Sequence, residues 1–410
     1  MRDFAARFAG LMSPQRGPRP SSLQGDFTAN GSINSEPITL SSSLKVEGQS
    51  AALERLTADI AGTTLNGALK RNASNGMLEG RLAVESADIS DAAALILQTA
   101  SGQVAGTIDL FSTSDMQSAK AALTAANFQY AGTRIGSAKG RATIVDLFGV
   151  PRVGGQMNAQ RLLVSGQEIR LLQAQIGTQD ATSEFDIVIE QDRFNTRALA
   201  KGSLTRTDGT TRISLDTLSV RSSLPDAALV SPAVVTMKGG EVQTDGFQLS
   251  IGSGTVSVSG TAGEQLRMNV QLTALPASIA NLFQPDLDAS GSLSGQVQIA
   301  GRADNPQADF QFEGTALQAR ALTESGLLPI AVTANGKVNA NTLMLTSASA
   351  RNDQSLSITA SGQIALASQT LDLRLQGSAP LALAEAVLAE RGGRATGSAT
   401  FDLNVRGSPN

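Results

Sequence analysis

One pattern restricts this chain more than any other: an alternation that makes one side of a strand apolar and the other polar, and then recurs. The clearest copy is Leu266–Pro306. It opens with Met268, Val270 and Leu272 at every second position and passes through a short Pro-led apolar segment, Pro276–Phe283. It closes on Gly291, Leu293, Gly295, Val297, Ile299 and Gly301 before Asn305-Pro306. The plan returns at 371–410, where Gly291 aligns with Gly397, Val297 with Leu403, Ile299 with Val405 and Gly301 with Gly407, at an offset of 106 without a gap. A fainter copy, Gly102-Gln-Val104-Ala-Gly106-Thr-Ile108-Asp-Leu110, lies 189 residues before the first. Period two belongs to strands, and a repeated unit of roughly 100 residues predicts a chain that stacks its pieces.

Strands are expected from Leu23 onward. Candidates in the first half are Ser43–Val46, Leu65–Leu69, Leu78–Val84, Val104–Leu110, Phe185–Ile189, Arg212–Leu215 and Leu218–Val220. Hairpin turns are expected at Asn30-Gly31, Asn66-Gly67, Asn75-Gly76, Asp208-Gly209, Asp245-Gly246 and Asn335-Gly336, where positive φ costs little. Turn signals this dense favour an antiparallel meander over βαβ units. Three short helices, at 88–98, 276–283 and 380–391, fall at equivalent places in the repeat.

In the second half the apolar partners are Val256 with Val258, Phe310 with Phe312, Leu343 with Leu345 and Leu356 with Ile358. Leu371, Leu373 and Leu375 follow, then Phe401, Leu403 and Val405, with Ser, Thr, Asn, Gln, Asp or Arg between them. A long one-faced sheet must hide its apolar side. A sandwich does so with a second sheet and usually large aromatic residues. Here the apolar residues are mostly aliphatic, and no long helix is available as a cover. The expectation is therefore an all-β chain: a long, mostly antiparallel sheet curled into an open trough with an apolar interior and a few short helices. Glycines such as Gly291, Gly295 and Gly301 would permit the bends. Some 30 strands would give a trough on the order of 140 Å long.

Composition excludes several chemistries. The 410 residues contain no His, no Cys, no Trp and a single Tyr. Without His or Cys there is no Ser-His-Asp or Cys-His site, no zinc held by those ligands and no disulfide. The formal net charge of −4 and dispersed Lys and Arg give no basic stripe for nucleic acid. No apolar run approaches the ~18–20 residues that span a bilayer; the longest, Ala92–Leu97, falls far short. No signal peptide is expected at MRDFAARFAGLM, which lacks an apolar core. Residues 1–12 are expected to form an amphipathic helix presenting Phe4, Phe8 and Leu11, and 13–22 a Pro/Arg linker. The domain reading is thus 1–22 helix and linker, 23–200 divergent β-repeats, and 201–410 clear β-repeats cut in mid-repeat.

Two chemical alternatives are weak. Asp304 with Asp309, or Asp286 with Asp288, would be a glycosidase pair, but nothing positions them. Gly252-Ser-Gly254 leads into a strand, whereas a phosphate loop must open a helix. No catalytic residue, metal or cofactor is expected.

The run GSLSGQVQIAGRADNPQADFQFEG at 291–314 resembles the repeat of the TamB translocation-and-assembly family, relatives of the AsmA-like bridge lipid transporters. So does 229–270, followed by the LPASIANLF segment. The likeness is good over about 200–410 and looser over 23–200. It implies a non-enzymatic scaffold, anchored in the inner membrane, that crosses the periplasm as a curled sheet with an apolar groove. Family members are associated with moving phospholipid towards the outer membrane and with assembling outer-membrane proteins. They meet an Omp85-type outer-membrane barrel, TamA. Anchor and partner contact are expected in parts of the protein missing from this chain.

The strand pattern alone leaves two fates open for the apolar positions: contact with lipid acyl chains, or the sealed core of a sandwich. The resemblance favours the first. Candidate groove residues are Val256, Val258, Met268, Val270, Leu272, Val297, Ile299, Phe310, Phe312, Leu343, Leu345, Leu356, Ile358, Leu371, Leu373, Leu375, Phe401, Leu403 and Val405. The rival from another class is a secreted or surface β-solenoid. It would fit the composition but would need rungs of about 20–30 residues, which are absent.

Overall fold

The computed structural model describes residues 2–13, 21–179, 182–324, 326–339, 341–353, 356–381 and 397–407. Among these there are 26 strands, and every described pairing is antiparallel. The chain divides into two units, Met1–Lys201 and Gly202–Asn410.

Unit 1 holds β1 (Arg2–Ser13), β2 (Ser22–Ile33), β3 (Glu36–Glu47), β4 (Ser50–Ile60), β5 (Thr63–Arg71), β6 (Leu78–Ser86), β7 (Ala100–Thr113), β8 (Met116–Tyr130), β9 (Thr133–Val145), β10 (Arg152–Val164), β11 (Gln167–Gln179) and β12 (Thr182–Gln191). Each pairs with the next in chain order. The division between units falls within β13 (Thr196–Thr207). Unit 2 continues with β14 (Thr210–Arg221), β15 (Ala227–Leu229), β16 (Ala233–Lys238), β17 (Glu241–Ile251), β18 (Gly254–Ala262), β19 (Gln265–Pro276), β20 (Ser290–Arg302), β21 (Asn305–Gln318), β22 (Ile330–Asn339), β23 (Thr342–Arg351), β24 (Ser357–Ala365), β25 (Thr370–Pro380) and β26 (Ser398–Gly407). β15 and β16 together lie between β14 and β17, broken at Val230–Pro232, where proline removes a ladder donor. From β17 the pairing again follows chain order to β26. In neither unit does a described pairing return to the first strand, so each sheet is open, not a closed barrel. A β-solenoid would stack parallel rungs; the antiparallel ladders do not have that form.

The sheets curl. β10 and β12, on either side of β11, approach within 8 Å between Cα atoms, closer than the about 9.6 Å that two strand spacings put between them in a flat sheet. Bulges supply bends elsewhere, with the register slipping at Leu53/Leu56, Thr244/Phe247, Leu272/Leu275 and Leu345/Ala348. The repeat seen in the sequence is also a repeat of backbone shape. Gly102, Gly291 and Gly397 have φ of 104°, 101° and 103°. The first two sit in bulges, at Ser101/Gln103 and Ser290/Ser292. A short helical segment precedes each of these two: α1 (Ser90–Leu95), and the 3-10 turns Ala277–Leu282.

Several local expectations are corrected. Of the expected 1–12 helix, the described residues from Arg2 onward are strand, not helix. A helix of that length is marginal in isolation, and the edge of β2 offers backbone partners that outweigh it; the spacing of Phe4 and Phe8 suits period two as well. Of the 13–22 linker, 14–20 lie outside the described residues, as does most of the third helix, 382–396. Four proposed turns are mid-strand: Gly31, Gly67, Gly246 and Gly336 fall within β2, β5, β17 and β22. At Gly336 a Cβ would collide with the Met344 carbonyl oxygen and would also stand 2.8 Å from the Phe310 ring. The real hairpins pair two positive-φ residues, as at Ala61-Gly62, Ala131-Gly132, Ser165-Gly166 and Asp208-Gly209. Arg212–Leu215 and Leu218–Val220 are one strand, β14, and a second short helix, α2 (Arg320–Glu324), was not anticipated.

Candidate functional site

Directly opposed residues in a sheet share a face, so register decides which side chains meet. In unit 2 one row crosses ten strands, β17 to β26: Leu249, Val256, Leu272, Gly295, Phe312, Ala334, Ala348, Ala360, Leu375 and Leu403. Beside it runs a second: Phe247, Val258, Val270, Val297, Phe310, Gly336, Leu345, Gly362, Leu373 and Val405. Neither contains a polar side chain. Met268 faces Ile299, Leu343 faces Ile364 and Ile364 faces Leu371, while Ile358 and Phe401 lie on either side of Gly377. Phe310 and Phe312 stack at 5.6 Å between ring centroids.

Unit 1 has the same construction. Ala29, Leu40, Ala58, Leu65, Val84, Gly106, Leu123, Gly140, Met157, Ala174 and Ile187 are successive partners from β2 to β12. On β1, Phe8 is set opposite Phe27. Small residues fill much of this row, which is why its apolar side is hard to read from the sequence. The alternation of Phe185, Ile187 and Ile189 was the available signal.

These faces are not sealed. Eleven apolar residues are buried among those described, seven of them alanine and the other four leucine. No Val, Ile, Phe or Met is among them, although Val and Phe supply eight of the twenty positions in the two rows of unit 2. Met157 keeps 40% of its surface exposed and Leu403 50%. A sandwich would have covered them.

Residues 193–385 match the model of the TamB N-terminal domain. That stretch, a little under half of the chain, belongs to the TamB family. No curated protein matches it. The family is one of non-enzymatic assembly and transport proteins, and the match gives this chain a TamB-like role in the translocation and assembly module. The TamB match takes in every strand from β14 to β25, and with them most of both apolar rows. No helix among the described residues is long and apolar enough to cross a membrane.

Of the predicted groove positions, Leu356 alone is buried. It lies in the loop before β24, 5% exposed, where its N–H donates to Asn352 Oδ1 at 3.1 Å and its carbonyl accepts the Asn352 N–H at 3.0 Å. Leu403 and Val405 are the most open because no described strand lies beyond β26.

Three of the four acidic candidates are engaged by cations rather than by each other. Arg302 donates to both Asp304 oxygens, at 3.0 and 2.9 Å, and holds that carboxyl below its usual range. Lys337 pairs with Asp309 at 2.9 Å and Arg320 with Asp286 at 3.7 Å. Gly252-Ser-Gly254 joins β17 to β18, as its sequence suggested. Cross-strand clamps of this kind recur on the polar side: Arg81 on Asp109 at 2.5 and 2.8 Å, and Arg374 on Asp402 at 3.3 and 2.8 Å.

Proposed function

We propose that the apolar strand faces are a path for phospholipid acyl chains between the inner and outer membrane, in a periplasmic scaffold that also supports outer-membrane protein assembly. The observation that carries this reading is the pair of unbroken, uncovered apolar rows across β17–β26. An acyl chain laid along them loses contact with water at about 0.8 kcal/mol per buried CH₂ and asks for no directional partner. The absence of polar side chains from both rows suits a cargo that must slide, since any fixed hydrogen bond would hold it in place. On this reading the scaffold is anchored in the inner membrane and meets the TamA barrel.

The test is native mass spectrometry of the purified chain followed by lipid extraction. Phospholipid should co-purify, and Val258→Asp, Val270→Asp and Val297→Asp together should reduce it roughly tenfold or more, because a carboxylate against an acyl chain is left unpaired. Circular dichroism must show the variant still folded. A lipid-free wild-type protein, or a folded variant carrying as much lipid, would overturn the proposal.

A further inference from the structure

The opposite, polar face of unit 1 carries a second site. Lys139 and Arg141 on β9, Gln156 and Asn158 on β10, and Gln173 and Gln175 on β11 form one block. Arg141 is opposite Gln156, and Gln156 opposite Gln175; Lys139 is opposite Asn158, and Asn158 opposite Gln173. All six line a recess of about 530 Å³. Among the described residues none of these six side chains makes a hydrogen bond or ion pair. That is unlike opposed polar pairs elsewhere, such as Thr333 with Ser349 at 2.8 Å and Asn335 with Ser347 at 2.9 Å.

Charge is unbalanced there. Asp186, at the recess margin, is already paired with Lys201 at 2.7 Å, and Asp109 beyond it with Arg81 at 2.5 Å. Lys139 and Arg141 are left uncompensated on a chain whose net charge is −4. An adjoining recess of about 600 Å³ shares Arg141, Gln156 and Gln175 and is floored by Gly154. Glycine is not required at that position by packing, since a Cβ would find its nearest neighbour, the Ile176 carbonyl oxygen, at an ordinary 3.5 Å. Its φ is not left-handed either. What the missing side chain does is keep the floor open.

We infer that this face binds a linear acidic glycan, a carboxylated polysaccharide strand. Carboxamides both donate and accept, as sugar hydroxyls do, so a two-by-two block of them matches a polyhydroxyl chain. The two cations meet its carboxylates. An acidic peptide would use Lys139 and Arg141 but leave the carboxamides idle, and the recess has no deep apolar pocket to anchor a side chain. There is no aromatic ring to stack on a sugar, so binding rests on charge and amides and weakens with salt. Because the site lies on the face of unit 1 opposite that unit's own apolar row, it stands or falls separately from the lipid reading.

The experiment is calorimetric titration of the full chain with an oligogalacturonate, with neutral dextran oligomers and poly-glutamate as comparisons. Oligogalacturonate should bind better than either. Gln156→Ala with Gln175→Ala, which leaves the charge unchanged, should weaken it by about fivefold for each hydrogen bond lost. Lys139→Ala with Arg141→Ala should weaken it further and flatten the salt dependence. All four positions are exposed, and circular dichroism will verify folding. No oligogalacturonate binding overturns the inference. Equal binding of poly-glutamate that ignores the glutamine changes also overturns it, and leaves only charge attraction.

Discussion

Glycine serves two purposes in this chain, and substitution separates them. At Gly291 the backbone is left-handed, with φ 101°, and a Cβ would collide with the Ala316 carbonyl oxygen. Gly291→Ala should therefore cost about 1–3 kcal/mol, from strain and a forced shift of the β20–β21 bulge. Gly154→Ala meets no such obstacle and should change stability by less than about 0.5 kcal/mol. Urea titration of the two variants, followed by circular dichroism, checks both. Equal effects would mean that the shared φ of Gly102, Gly291 and Gly397 is not a structural requirement.

At the scale of elements, β26 is held by β25 alone among the described strands, and its polar side is clamped by two carboxylates, its own Asp402 and Asp372 of β25, which accepts from Arg406 Nε at 3.0 Å. Asp402 accepts from Arg374 and from Gln376, both at 2.8 Å. The Arg374 hydrogen bond, then that of Gln376, lowers its pKa below the ordinary 3.8. A depressed folded-state value contributes stability above the unfolded pKa and loses it as pH falls through the folded one. At neutral pH, Asp402→Asn should thus increase amide exchange in β26 relative to wild type. As pH falls below 3.8 the gap should narrow, and it should close once pH passes the lowered folded value, because the wild-type carboxyl is then neutral too. The group is exposed, so the effect is small and screened by salt; a gap unchanged at pH 3 would show that charge is not its origin. Strands like β25 and β26 were legible because Leu373, Leu375, Leu403 and Val405 alternate with polar residues. β1 was not, since its short apolar spacing suits both helix and strand and only the edge of β2 decides between them. Asn66-Gly67 misled as a turn because its glycine serves close approach within β5, a demand set by the Arg81 carbonyl oxygen on the neighbouring strand β6.

For the whole molecule, the apolar rows were readable strand by strand, but their continuity was not, because it depends on register at every ladder. Nor could the sequence reveal the block at Lys139 and Gln175, whose members meet only across three strands. Both faces have a thermodynamic consequence. The chain exposes 25120 Å², whereas two compact units of half its mass would expose about 18,000 Å². An unfolded chain of this mass exposes about 61,000 Å², so folding buries about three-fifths of it, the fraction expected of a domain of about 60 residues. Denaturant sensitivity and heat capacity of unfolding both follow the area exposed. Each should reach only about four-fifths of the value for compact domains of the same total length. Extensive contacts run between neighbouring strands in the ladder, an arrangement in which cooperativity is local and segments melt separately. Calorimetry and urea titration with two probes, one near β8 and one near β25, should therefore give non-coincident transitions. A single sharp transition with the full heat capacity of a compact protein would mean that the apolar faces are closed on each other in solution, and the open path proposed for lipid would not exist.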